Sequence, residues 1–200
     1  VGLPALSPAP LPWDPPRLIC LGRLLNFKAF DLAIRAFAAL AERFPSARLA
    51  IAGDGPERPA LERQVRELAL GERVEFLGWI PPHEVPALLN TASLVVLPSR
   101  WEGLPFVALE SALMARPVVA TRVGGLSECV VDGETGLLVD AEDVAALAEA
   151  IGRALADREL SQRLGAAART HTRKRFSVEA CASGYDALYR AMASERAVRR

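Results

Sequence analysis

The chain has 200 residues, 51% of them apolar and 24% charged. That length suits one well-buried domain and is marginal for two, and the composition is too apolar for a disordered chain. Lysine plus arginine equals aspartate plus glutamate at 24 each, so the basic field that broad nucleic-acid binding needs is missing, although a local anion site is not excluded.

The three cysteines, Cys20, Cys129 and Cys181, are far apart and odd in number, with no CxxC or Cys/His spacing. They argue against a metal site or disulfide framework and for a reducing, cytosolic setting. No apolar run approaches the ~20 residues of a spanning helix. Residues 1–16, VGLPALSPAPLPWDPP, lack the basic region and apolar core of a secretory signal. They read as an extended linker, since each proline fixes φ and removes a donor, and an opening linker suggests a preceding segment.

Arg17 to Leu21 is a short apolar run ending at Gly22, with the length and flanks of a buried strand. Arg23 to Lys28 is a loop, and the periodicity from Phe30 to Arg43 predicts a helix stopped by Pro45. Arg48 to Ala52 is a second strand, closed by the turn Gly53-Asp54-Gly55-Pro56. Pro59 to Leu70 is a helix ending at Gly71 in the C′ place. Strands at Val74–Leu77, Leu94–Leu97, Val118–Ala120 and Leu137–Val139 follow. Helices at His83–Thr91 and Pro105–Ala115 separate them, and helices at Ala141–Ala156 and Glu159–Arg173 come after. Ser177 is an N-cap for a last helix to about Ala193, with Glu179 in its first turn. Residues 17–195 thus form one domain, and 196–200, with Arg196, Arg199 and Arg200, a frayed basic tail. Strands alternating with helices predict a doubly wound α/β domain with a parallel sheet.

In such folds ligands bind beyond the carboxyl ends of the strands, so the residues just after each strand carry the information. Between Leu97 and Val118 the chain reads PSRWEGLPFVALESALMARP. Pro105 sits at the first helical position, where its missing donor does no harm. The free N–H groups of Leu104, Phe106 and Val107, with the positive end of the helix dipole, make an anion site, and Gly103 lets a ligand approach the backbone. Glu110 is placed to take a diol such as ribose, and Glu102 to face what lies beyond the phosphates. A surface glutamate and a helix glutamate paired with arginine fit the spacing as well. Arg23 and Lys28, after the first strand, are placed to neutralise a diphosphate, each contact worth roughly 1.5–3 kcal/mol, or are ordinary solvated cations. Trp79 either packs beside a nucleobase or covers the sheet end. Gly53-Asp54-Gly55 is a tight turn rather than a phosphate loop, lacking the Lys-Ser/Thr of a P-loop and the full GxGxxG. Gly124-Gly125 either admits a ligand or turns the chain. His83 and His171 read as surface residues, and no GxSxG elbow exists.

Taken together, LGRLLNFKAFDLAIRAF, IAGDGPERPALERQVRELALGERVEFLGWI and PSRWEGLPFVALESALMARPVVATRVGGLSECVVDGETGLLV resemble the donor domain of retaining glycosyltransferases of family four, GT-B architecture. The signature of that family is two glutamates separated by seven residues, the spacing of Glu102 and Glu110. The resemblance runs from about Arg17 to Arg175. It implies a Rossmann-like domain that is one half of a GT-B enzyme. It implies that Gly22, Arg23 and Lys28 serve the donor diphosphate and that Glu102 contacts the donor sugar. It implies that Gly103, Leu104, Pro105, Phe106 and Val107 take phosphate and sugar, that Glu110 holds the ribose, and that Trp79 and Ile80 meet the base. The substrate it implies is a UDP- or GDP-sugar, transferred with retention and generally without a metal or other cofactor. It further implies that an N-terminal domain, absent from the chain, binds the acceptor, that the domain alone transfers weakly, and that any membrane attachment comes through the full-length protein. Ala29 and Ala115-Arg116 depart from the usual Gly and Gly-Lys and should leave the site intact. A non-catalytic nucleotide-sugar module and a sugar-nucleotide epimerase relative are the alternatives, the second expected to show further catalytic His and acidic residues.

Overall fold

Each central strand is a nearly continuous apolar run, broken only by Arg17 and Arg48, which open two of them, as a strand covered on both faces must be. In β1 (Arg17–Leu21), Leu18 and Cys20 face one core while Ile19 and Leu21 face another. The same alternation splits β2 (Arg48–Ala52) into Leu49 and Ile51 against Ala50 and Ala52, and β4 (Leu94–Leu97) into Leu94 and Val96 against Val95 and Leu97. With β3 (Val74–Gly78), β5 (Val118–Thr121) and β6 (Leu137–Val139) these strands form a six-stranded sheet in the order β3-β2-β1-β4-β5-β6, every pairing parallel. The computed structural model describes residues 7–198, with side chains up to Met192.

Helices α1 (Phe30–Ala39), α2 (Arg58–Glu67), α6 (Val144–Ala156) and α7 (Arg158–Arg175) supply the first core, in which Phe37 is fully buried under the Arg73 guanidinium, 5.0 Å from the ring centre. Helices α3 (Val85–Asn90), α4 (Phe106–Leu113) and α5 (Leu126–Cys129) cover the opposite face. The last helix, α8 (Val178–Val198), begins where Ser177 Oγ accepts the Ala180 N–H at 3.0 Å, the expected cap. Asp143 and Asp157 cap α6 and α7 in the same way, accepting from Ala146 at 2.8 Å and Leu160 at 2.9 Å. A cap of this kind is typically worth ~1 kcal/mol.

The structure corrects several boundaries. The helix expected to reach Gly71 ends at Glu67, and its left-handed residue is Ala69, at φ 53°, not a glycine. α6 starts at Val144 rather than Ala141, because Asp143 is its cap. A short 3₁₀ turn, Asn26–Lys28, occupies part of the expected first loop, and α5 lies in a stretch with no expected element. Residues 7–16 form neither helix nor strand and bend at Asp14-Pro15, yet they are fastened to the domain. Asn90 grips the Ser7 carbonyl and the Ala9 N–H, and Ser93 Oγ donates to the Pro12 carbonyl at 2.6 Å. Residues 1–6 of the expected linker, and Arg199 and Arg200 of the expected tail, lie outside the described residues; α8 itself runs through Arg196.

Candidate functional site

The strand order reverses between β1 and β4, which are neighbours although separated by two strands in sequence. The loops that follow them turn away to opposite faces and leave a crevice at their carboxyl ends. A cavity of about 210 Å³ occupies it, lined from the β1 side by Leu21, Lys28 and Phe30 and from the β4 side by Leu97, Ser99, Glu102, Leu104, Pro105, Phe106 and Val107. Its floor is apolar, and its polar groups converge from two chain segments 74 residues apart.

Lys28 Nζ and a Glu102 carboxylate oxygen are in direct contact, with side-chain exposures of only 19% and 10%. Ser99 Oγ donates to the same oxygen at 3.0 Å, and the Ser99 carbonyl in turn accepts from Thr121 Oγ1 at 2.5 Å. The cation thus stands beside the start of α4, where the Phe106 and Val107 N–H groups precede any intrahelical acceptor and carry the positive end of the helix dipole. One charge-neutral pair and one helix start share a cavity: the arrangement can exchange the carboxylate on Lys28 for a ligand anion and leave Glu102 to accept ligand hydroxyls.

The chain that builds this crevice is similar to proteins of known chemistry. Residues 7–171 match the family model for glycosyl transferases group 1. The chain belongs to that family. A GDP-mannose-dependent phosphatidylinositol monomannoside mannosyltransferase of Mycolicibacterium smegmatis is 40% identical over 163 residues, covering 78% of this chain and 43% of that protein. Sucrose-phosphate synthase of Thermosynechococcus elongatus superposes with a TM-score of 0.81 at 35% identity, covering 92% of this chain and 47% of that one. Anabaena HepE in complex with UDP superposes with a TM-score of 0.78 at 26% identity, covering 89% of this chain and 48% of that one. The chain therefore spans less than half the length of each of these three proteins, and its doubly wound sheet is one half of the GT-B architecture.

For this glycosyl transferase group 1 chain, the expected residues divide into two sets. Lys28, Glu102, Leu104, Pro105, Phe106 and Val107 line one cavity. Gly103 is exposed beside them. Arg23 is exposed on the loop after β1 and does not line the cavity. Gly22 closes the end of β1, its N–H donating to the Ala52 carbonyl at 2.9 Å. Trp79 is 69% exposed, so it does not cover the sheet end, while Ile80 packs partly into the core below. Glu110 is half-buried on α4 with no ion pair or side-chain hydrogen bond to the described residues, and burial raises its pKa above the usual carboxylate value. The reading of Glu110 as an arginine partner is thereby overturned. So is the placement of Pro105 at the first helical position: it is the N-cap, with φ −79° and ψ 91°, and its carbonyl accepts the first helical N–H at Ala108, 2.9 Å away. His83 is exposed as expected, but His171 is half-buried against Phe176, with a buried Nε2 lacking a hydrogen bond. Among the described residues no group of three or more metal-ligating side chains occurs, and no helix is long and apolar enough to cross a membrane.

Several determinants were invisible in the sequence. Gly124 and Gly125 do more than turn the chain. A Cβ on Gly125 would lie 1.8 Å from the Gly103 carbonyl oxygen, and one on Gly124 2.0 Å from that of Glu102, so only glycine lets the β5 loop lie under the β4 loop. The Gly53 turn does the same beneath β1, where a Cβ would lie 1.8 Å from the Gly22 oxygen. Arg116 is 1% exposed; its guanidinium donates to the carbonyls of Met114, Ala92 and Ala9, and desolvation lowers its pKa to about 10. Trp101 is exposed beside Glu102 and stands edge-on to Phe27 with ring centres 6.1 Å apart. The two departures from glycine, Ala29 and Ala115, both have φ near +53°, a strained region for alanine.

Proposed function

We propose that this chain is the donor half of a retaining glycosyltransferase that holds a nucleoside-diphosphate sugar, UDP- or GDP-linked, for transfer to an acceptor bound by an N-terminal domain beyond it. The observation that carries this is the cavity at the strand-order reversal, where Lys28, Glu102 and the start of α4 converge. The mannosyltransferase relative is named for GDP-mannose, and HepE was solved with UDP, so either base suits the reading.

In this scheme Lys28 and the N–H groups of Phe106 and Val107 take the diphosphate and stabilise it as it leaves. Arg23 adds a second cation from the rim. Glu102, released from Lys28, accepts hydroxyls of the donor sugar. Glu110, without a side-chain partner among the described residues and already half desolvated, accepts the ribose diol, and Trp79 with Ile80 meets the base. Catalysis is then positioning and charge stabilisation, with no residue acting as a glycosidase-type acid and base. No metal is assigned a role. Calorimetry with UDP and GDP tests the reading: saturable binding of at least one is expected, and no binding of either to folded protein refutes it. Transfer itself is tested by joining the chain to an N-terminal half and following nucleotide diphosphate release.

A further inference from the structure

Arg100 stands two residues before Glu102, at the end of β4, and no part of its side chain is left over for a ligand. Nε donates to Glu142 Oε1 at 2.6 Å. Nη1 donates to the Asn26 carbonyl at 2.7 Å and to Asp31 Oδ1 at 2.9 Å. Nη2 donates to Asp31 Oδ2 at 2.9 Å and to Glu142 Oε2 at 3.5 Å. All five guanidinium donors are matched. The Arg100 backbone N–H adds a bond to the Phe27 carbonyl at 2.8 Å. The acceptors come from the loop after β1, the first turn of α1 and the loop after β6, so one side chain fastens three segments at the carboxyl edge of the sheet.

We propose that Arg100 is the positioning residue that sets Lys28 against Glu102. Its anchors Asn26 and Phe27 immediately precede Lys28, and Arg100 itself is two residues from Glu102, so the separation of the pair is fixed from directly beneath. Its charge is committed: hydrogen bonding to Asp31, foremost, and to Glu142 raises its pKa further above the usual arginine value. With its donors spent on two carboxylates it is no phosphate ligand, although it lies beside the cavity. The third anchor supplies an independent sign. Glu142 holds a left-handed backbone, φ 66°, which a non-glycine residue keeps only when its surroundings impose it. The guanidinium that takes both Glu142 oxygens is the contact that the structure shows for it. Lysine cannot replace this fork, having one charge point and no planar pair of donors.

The role in ligand binding rests on the donor-site reading; the geometric role does not. The test uses the full chain with Arg100→Lys, the milder Asp31→Asn, and Arg17→Ala, which removes an ion pair with Glu75 at the opposite edge of the sheet. Two measurements are made. The first is amide hydrogen exchange over residues 99–107, which needs no ligand. The second is the ratio of nucleoside-diphosphate to free-nucleoside affinity, for UDP and GDP. Arg100→Lys should speed exchange over 99–107 about tenfold with the core unchanged, and weaken the diphosphate about ten- to hundredfold while the nucleoside changes little. Asp31→Asn should move both readouts the same way but less, and Arg17→Ala neither. Wild-type exchange in this loop for Arg100→Lys, or an equal change in Arg17→Ala, overturns the proposal. Unchanged diphosphate affinity in Arg100→Lys, with the wild type binding, also overturns it. If the wild type binds neither nucleotide, the donor reading falls and exchange alone decides the role of Arg100.

Discussion

Replacing Lys28 by methionine takes the cation out of a contact whose two side chains are 19% and 10% exposed and leaves the Glu102 carboxylate with Ser99 Oγ as its side-chain partner. Breaking a fully buried pair costs about 3–5 kcal/mol, and the residual exposure here lowers that to about 2–3 kcal/mol. For a domain of this size each kcal/mol moves Tm by about 2–4 °C, so Lys28→Met should lower Tm by about 4–12 °C. Glu102→Gln alone should also destabilise, since it leaves the ammonium facing an amide. The double variant removes both charges and keeps an acceptor for Ser99, so it should be more stable than the sum of the single losses predicts, by at least about 1 kcal/mol. Urea denaturation of the four proteins measures this coupling. Additive losses would mean that the contact is not an energetic unit, and would refute both the pair and the exchange of partners proposed for ligand entry. On the ligand side Lys28→Met should weaken nucleoside diphosphates far more than the free nucleoside; equal losses would put Lys28 outside the phosphate site.

Three further outcomes are expected. Burial raises the Glu110 pKa, so its stabilising influence is complete below the normal carboxylate range and is lost as pH rises through the folded-state value. Glu110→Gln should therefore be more stable than the wild type at pH 7 and equal to it in acid, seen in denaturation at both pH values, while binding nucleotide less well. Ala115→Gly and Ala29→Gly should each relieve a left-handed alanine; the half-buried Ala115 should gain about 1 kcal/mol in urea unfolding, and the buried Ala29 less, since it gives up a buried methyl. Gly125→Ala should displace the loop at Gly103 and abolish measurable diphosphate binding while the far-ultraviolet circular dichroism stays that of the wild type; retained binding would show that the loop tolerates a Cβ where the structure has 1.8 Å.

The sheet was legible because its signal is local. Six apolar runs, the first three ending at Gly22, Gly53 and Gly78, map directly onto β1 to β6, and the spacing of Glu102 and Glu110 together with Pro105 marked the start of α4. Lys28 could be placed only by assuming which strand ends are neighbours, and that assumption also admitted Arg23, which the structure leaves on the rim. Arg100 carried no signal: its carboxylates lie 69 and 42 residues away, and nothing in the intervening sequence pairs them. Helix ends failed for a related reason. Glycine is the usual sign of a left-handed stop, yet Ala69 holds that position after α2 and Ala115 follows α4, because packing imposes a backbone that local preference disfavours. Ser99 does carry a local signal: a serine three residues before Glu102 is at a short loop spacing that lets hydroxyl and carboxylate meet.

The two lips of the crevice are built alike. Beneath Gly22 lies Gly53 from the next strand outward, and beneath Glu102 and Gly103 lie Gly124 and Gly125, each contact closer than any side chain would allow. Neither lip can sag without pushing its neighbour down as well. So braced, the crevice is expected to keep its outline rather than to open and close like a pair of hinged flaps. On the donor-site reading, the ordering entropy of complex formation then falls on the incoming molecule, whose rotatable diphosphate must adopt the shape it finds. A ligand whose pyrophosphate linkage is stiffened in the fitting conformation should gain affinity through entropy, with little change in enthalpy.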